Sequence, residues 1–219
     1  MLLQGAGQAL CVWQQRTEAI CFLDVGQGDG ILIRSPDGRN IVIDGGSTSQ
    51  SKCGTYTLLP ALRSQGMTEI DCWFVTHTDE DHISGLKELL LQGKLTQIKV
   101  RTVVFSAYVF QDAALAELEA VIRAAGITIV WMREGDVIGD DTFTLTCLHP
   151  TAEYRAKDKN AASLALAYHS DTFDMLFTGD MDADAVAAGV EKAHEEISIL
   201  QYNDENSLSC TIQLAFYFA

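Results

Sequence analysis

The segment Thr76-His77-Thr78-Asp79-Glu80-Asp81-His82 sets two imidazoles and three carboxylates within six consecutive positions. It follows directly on the apolar run IDCWFVT at 70–76. Carboxylates packed this densely repel one another unless a cation or proton compensates them. In a turn, His77 and Asp79 project to one side, while Asp81 and His82 can swing to another. Two divalent cations a few ångströms apart can then be shared between the pairs. Nitrogen and carboxylate ligands together suit Zn, Mn or Fe, whereas calcium takes oxygen alone. The plain alternative is an acidic loop after a strand with incidental histidines.

The charge balance gives a metal a second role. The 219-residue chain carries 15 basic and 30 acidic residues, a net −15, and such a surface does not attract a phosphate backbone by itself. An anionic substrate needs added positive charge, and a metal can supply it. No apolar run reaches the ~20 residues of a membrane span and no secretory signal opens the chain, so it reads as soluble. Six cysteines at 11, 21, 53, 72, 147 and 210 form no C-x-x-C pair, which leaves a thiolate metal site without local support. Cys21, Cys72 and Cys147 sit in apolar runs and read as small buried hydrophobes.

The elements that must position the cluster are legible. From Glu18, EAICFLDV, ILIRS and NIVIDGG alternate as a three-strand meander, separated by GQGDG and PDGRN turns. Residues 55–66 read as a helix stopped by Gly66. The run at 70–76 reads as a strand buried on both faces, and ISGLKELLLQG as the next helix. VRTVVFS is a strand, and Asp112 caps a helix closed by Gly126. ITIVWM, DTFTLTCLHP, ASLALAYHS and FDMLFTGD are further strands, and an Ala-rich helix runs from Met181 to about His194. Two packed sheets with helices outside satisfy this order.

Weaker patterns fail on context. Gly26, Gly28 and Gly30 precede a strand and not a helix, so they do not form a dinucleotide loop. A GQGD turn, ending in Asp29, that approaches the metal loop fits better. Asp180, Asp182 and Asp184 imitate a calcium loop, but Ala185 stands where the sharp turn needs glycine. His149, before Pro150 at a strand end, is a candidate site-lining residue. His169 reads as a strand-end surface residue.

The stretches FLDVGQGDG at 22–30, IDGG at 43–46, THTDEDHISGL at 76–86 and FTGD at 177–180 together resemble the metallo-β-lactamase fold. More narrowly they resemble the soluble domain of ComEC-like competence proteins, a channel family for DNA uptake. The resemblance covers roughly residues 18–201, preceded by an arm at 1–17 and followed by an atypical tail at 202–219. It implies a four-layer αββα sandwich of the α/β (α+β) class, with two divalent ions, Zn or Mn, at the sheet edges. By the same resemblance His77 and Asp79 hold the first metal and Asp81 and His82 the second. Asp180 bridges both, and Asp44 stands behind the ligands. Two-metal hydrolysis is the implied reaction, with Asp81 and Asp180 central to it. DNA is the implied substrate and a membrane channel the implied partner, on the extracytoplasmic side. Without that attachment the chain would be cytoplasmic.

Two departures from the family pattern shape the expectation. Asp79 stands where many of these hydrolases have His, which favours a harder ion such as Mn; the ComEC-like branch shares that Asp. After ISILQ at 197–201 the family continues with His-His-Gly-Ser and a further strand. This chain reads YNDENSLSC, a departure that suggests a truncation or a changed reading frame. The second metal is then expected to lack a ligand, and the sheet to end on an open edge. The functional readings are a DNA phosphodiesterase, a non-catalytic or impaired module of an uptake channel, and a freestanding hydrolase of small esters or lactams.

Overall fold

A computed structural model describes residues 18–182, Val186, 199–202 and 211–213. The arm at 1–17 and most of the tail lie outside the described residues.

The first sheet runs in the order β1 to β6. Strands β1 (Ala19–Phe22), β2 (Gly30–Arg34) and β3 (Asn40–Asp44) form the antiparallel meander. β4 (Glu69–Phe74), β5 (Lys99–Ser106) and β6 (Thr128–Met132) then add in parallel. Parallel neighbours need crossovers, and helices supply them. A π-helical turn, Gly54–Leu58, leads into α1 (Leu59–Ser64). α2 (Glu80–Gln92) follows β4, and α3 (Ala113–Ala124) follows β5. The Asp112 side chain caps α3 by accepting from the Leu115 N–H at 2.9 Å.

The second sheet is also six-stranded and runs in the order β12 to β7. It comprises β7 (Val137–Gly139), β8 (Phe143–His149), β9 (Ala165–Ser170), β10 (Asp174–Phe177), β11 (Ile199–Tyr202) and β12 (Thr211–Gln213). β7 is too short and too exposed to carry an alternation, and no strand is legible there from the sequence. β12 pairs antiparallel with β11, so the tail itself supplies a strand. β11 is therefore paired where an open edge was expected, and β12 becomes the outer strand of the sheet.

Alternation decides which face each side chain meets. Ile31, Ile33, Ile41, Ile43 and Phe74 join Phe143, Leu145, Leu166 and Phe177 between the sheets. Leu32, Val42 and Trp73, from the opposite face of the first sheet, pack with Leu62, Ile83, Leu86, Leu118 and Ile122 of the helices. β2 and β3 are buried on both faces, whereas the edge strands β1 and β6 are not; the central strands are therefore continuous apolar runs and not the alternating strands expected of the meander. The expected helix over 181–194 lies almost wholly outside the described residues. Within them, the Val186 N–H donates to the Asp182 carbonyl at 2.9 Å, the spacing of an α-helical bond. Val186 packs with Met181, Ala165, Leu148 and Tyr154 in a third apolar cluster.

Candidate metal centre

The candidate residues gather where β3 and β4 end and where β10 gives way to a turn. Thr76 and His77 follow β4, Asp44 ends β3, and Asp180 follows β10. The structure corrects one local expectation. Residues 80–82 are not a swinging turn but the first turn of α2, with Asp79 extended at the N-cap and the His82 N–H on the Asp79 carbonyl at 2.9 Å. Glu80 and Asp81 lie in that first turn, where the exposed N–H groups and the helix dipole favour negative charge. Asp81 and His82 are thus held by a helix.

Two glycines allow the close packing. A Cβ on Gly28, which has φ +139°, would lie 2.4 Å from the Asp81 carbonyl oxygen. The GQGD loop therefore lies against the start of α2, and the Asp29 N–H donates to that same carbonyl at 3.2 Å. Gly179, with φ +54°, would bring a Cβ to 2.9 Å from the Thr76 side chain. That approach delivers Asp180 to the histidines.

Asp44 is fully buried and accepts three hydrogen bonds. They come from the Thr76 N–H at 2.8 Å, the Thr76 hydroxyl at 2.7 Å and His82 Nδ1 at 2.9 Å. His82 is thereby oriented with Nε2 facing Asp180 Oδ2 at 3.3 Å. His77 Nδ1 lies 3.2 Å from the Thr76 hydroxyl and 3.3 Å from the Ser163 hydroxyl. Its Nε2 is 3.7 Å from Asp79 Oδ2 and 4.0 Å from Asp180 Oδ2, and is buried with no hydrogen-bond partner. The two imidazoles stand 4.0 Å apart.

Electrostatics separates the two rings. Burial, and then the neighbouring His82, push the His77 pKa down to about 3, so His77 is the neutral imidazole a metal requires. Burial works against charge at His82 as well, but Asp44 and Asp180 outweigh it and hold its pKa well above the usual imidazole value. Without a metal, a proton on His82 is the cation that the surrounding carboxylates share. Asp81, half-buried, has its pKa raised chiefly by burial.

Part of the expected donor set fits a divalent ion, while Asp79 and Asp81 enter neither close group of ligand atoms. Ligand atoms of His77, His82 and Asp180 lie within 4.8 Å of one another, as do those of Asp29, Asp44 and His82. An orphaned buried Nε2 that faces two carboxylates is what a ligand looks like before its ion is placed. Asp44 supporting His82 is the carboxylate–histidine arrangement that orients metal-binding imidazoles. The structure also adds three residues that sequence reasoning missed. Thr76 bridges Asp44 and His77, Ser163 abuts His77, and Lys159 Nζ meets Asp79 Oδ1 at 2.7 Å. Thr76 opens the ligand segment itself and Lys159 falls in the alternation Arg155-x-Lys157-x-Lys159, whereas Ser163 left no trace in the sequence.

His149 stands behind the segment that carries Lys159 and Ser163. It is fully buried, its Nε2–H donates to the Ala161 carbonyl at 2.9 Å, and its Nδ1 has no partner. Its ligand atoms do not enter either cluster. His169 is exposed and pairs with Asp174. Burial lowers the His149 pKa, the Ala161 hydrogen bond and Glu134 opposing it. The native protein therefore resists protonating His149, whereas the unfolded chain takes up that proton below its ordinary value of about 6.5. The resulting loss of stability is absent above pH 6.5 and grows as the pH falls below it. Melting temperature is expected to drop more steeply between pH 6.5 and 5.5 for the wild type than for His149→Gln. Equal slopes would show that His149 does not contribute to the acid limb.

Residues 23–152 match the metallo-beta-lactamase superfamily. The chain belongs to that superfamily, whose members are generally metal-dependent hydrolases. It is 30% identical to ComE operon protein 3 of Bacillus subtilis over 174 residues, which is 74% of this chain and 22% of that protein. The chain therefore spans less than a quarter of that relative's length. Among solved structures, the metallo-beta-lactamase fold protein YhfI of Bacillus subtilis superposes with a TM-score of 0.51 at 16% identity, over 80% of this chain and 62% of its own. CmlA, a diiron beta-hydroxylase of Streptomyces venezuelae, gives 0.51 at 16% identity over 84% of this chain and 34% of its own. These two likenesses concern the fold alone. A hydroxylase among them illustrates that this architecture does not by itself fix the reaction.

Proposed function

We propose that the chain is a metal-dependent phosphodiesterase that cleaves DNA, working beside a DNA-uptake channel on the extracytoplasmic side. The observation that carries this reading is the convergence of the unpartnered His77 Nε2, His82 Nε2 and the Asp180 carboxylate at the strand ends. The likeness to ComE operon protein 3 turns the choice of substrate toward DNA. His77, Asp79 and Asp180 would hold one ion, and Asp81, His82 and Asp180 a second. Bound metal would supply Lewis acidity toward the scissile phosphate. Asp44 and Thr76 hold the ligating rings in place, and Asp29 ties the GQGD loop to the start of α2. Exposed Tyr108 and Phe110, in the segment leading to Asp112, support a polynucleotide over a small ester, because unpaired bases stack on such rings.

A specific feature favours a second reading, an impaired module. Residues 202–210 read YNDENSLSC where the resembled family supplies a last histidine. An ion held by Asp81, His82 and Asp180 alone would bind ~10- to 100-fold more weakly, the scale of losing a supporting partner. The expected result is one metal or less per chain as purified, with slow Mn²⁺-dependent cleavage of DNA that a chelator stops. Elemental analysis and cleavage of single- and double-stranded DNA, beside a chromogenic lactam, check it. Lactam turnover without DNA cleavage, or no metal uptake after reconstitution, would exclude the phosphodiesterase reading. Two tightly held ions with brisk cleavage would exclude the impaired one.

A further inference from the structure

The cluster is rimmed by a basic stretch that the ligand set does not use. Arg155, Lys157 and Lys159 are three of the chain's 15 lysines and arginines, and they fall within five alternating positions. Lys157 pairs with Asp182, two residues beyond Asp180. Lys159 Nζ lies 2.7 Å from Asp79 Oδ1 and 2.8 Å from Asp112 Oδ2, and its side chain remains 28% exposed. The opposite oxygen of the same Asp79 carboxylate faces His77 Nε2 at 3.7 Å. The ammonium thus stands one carboxylate away from the orphaned ring nitrogen, at the solvent side of the cluster.

We propose that Lys159 binds the anionic phosphate of the substrate beside the metal centre, an inference that rests on the phosphodiesterase reading. Its position supplies the reason. A divalent ion held at Asp79 would compete with Lys159 for one of its two carboxylate partners. Lys159 keeps Asp112 and an open direction toward solvent. An oxygen of the substrate phosphate would restore that second partner, since ammonium-to-phosphate contacts are charge-assisted. In a chain of net charge −15, a lysine fixed by two carboxylates at the mouth of the site offsets the repulsion that an incoming phosphodiester meets. Asp112 sets its place, since the same residue caps α3 through the Leu115 N–H.

The contrasting role is a structural tie, in which Lys159 only joins Asp79 to Asp112. The two roles separate when inorganic phosphate is titrated calorimetrically into the Mn²⁺-loaded full chain. Lys159→Gln is expected to weaken phosphate binding about 10-fold, and Lys159→Arg to restore most of it. For bis(p-nitrophenyl) phosphate, KM should rise by a similar factor with kcat within about 2-fold, the signature of lost uniform binding. Asp112→Asn tests the idea from the other side. Asn caps a helix as well as Asp does, so α3 is kept while the competing charge is removed, and phosphate should bind several-fold tighter. Unchanged phosphate affinity in both Lys159→Gln and Asp112→Asn would overturn the proposal, as would a wild type that binds no phosphate with Mn²⁺ present. Should Lys159→Gln fail to fold, Asp112→Asn alone decides. A wild type that binds phosphate through Lys159 but cleaves no diester would overturn the phosphodiesterase reading and leave this site standing.

Discussion

Asp180→Asn is expected to strip the protein of most of its bound metal while leaving the sandwich folded. Asp180 Oδ2 lies 4.0 Å from His77 Nε2 and 3.3 Å from His82 Nε2, an oxygen placed between two imidazoles. An amide there loses the charge that holds a cation between them. The effect on affinity should exceed the ~10- to 100-fold that a supporting partner costs. Diester hydrolysis should fall about 10²- to 10³-fold, the scale of losing one preorganised electrostatic group. The side chain is 18% exposed and is one of the two carboxylates that keep the buried His82 protonated, so the metal-free melting temperature should fall modestly while circular dichroism still reports the folded sandwich. Asp182→Asn, two residues on and paired with Lys157, is the control and should leave both readouts unchanged. Metal content measured by elemental analysis after dialysis decides the matter. Wild-type occupancy in Asp180→Asn would remove Asp180 from the ligand set.

The same residues show what a sequence can and cannot reveal. The central strands of the first sheet were legible because both their faces are buried: Ile31 and Ile33 turn to the second sheet and Leu32 to the helices, leaving an apolar run where alternation was expected. The cluster was legible because its chemistry is concentrated in seven consecutive residues. The helical start at Glu80 was hidden, since charged residues suit a turn and a helix N-terminus alike, and only packing against the Gly28 and Gly46 backbone decides. Ser163 and Lys159 were hidden for a different reason. They lie 86 and 80 residues from His77 and Asp79, and no local periodicity reports a contact made across two sheets. β7 escaped because three largely exposed residues carry no alternation. β12 escaped because the tail's composition departs from the resembled pattern while its backbone still pairs with β11.

Asp44 is where the candidate metal centre and the fold share one group, and its replacement should separate their energies. Its carboxylate is fully buried and takes two hydrogen bonds from Thr76 and one from His82. Asp44→Ala leaves the Thr76 N–H and hydroxyl unsatisfied and removes the partner that keeps His82 charged. Breaking a buried ionic pair from one side costs ~3–5 kcal/mol, and urea unfolding of the metal-free protein should show a loss of that order. Asp44 also sits at φ 55°, a conformation that Asp and Asn tolerate better than Ala. Asp44→Asn therefore keeps the backbone and an acceptor for Thr76, and its loss should be nearer the ~1–3 kcal/mol of a compromised buried hydrogen bond. Metal affinity behaves differently. Both variants remove the negative charge behind His82, so both should bind Zn²⁺ or Mn²⁺ about 10- to 100-fold more weakly. Competition with a chromophoric chelator measures that directly. A cycle combining Asp44→Ala with His82→Leu completes the test: if the pair is coupled as the 2.9 Å contact indicates, the double variant should be less destabilised than the sum of the singles by ~1 kcal/mol or more. Additive losses, or an Asp44→Asn protein with undiminished metal affinity, would mean that Asp44 supports the backbone of Thr76 alone and does not orient His82 toward a metal.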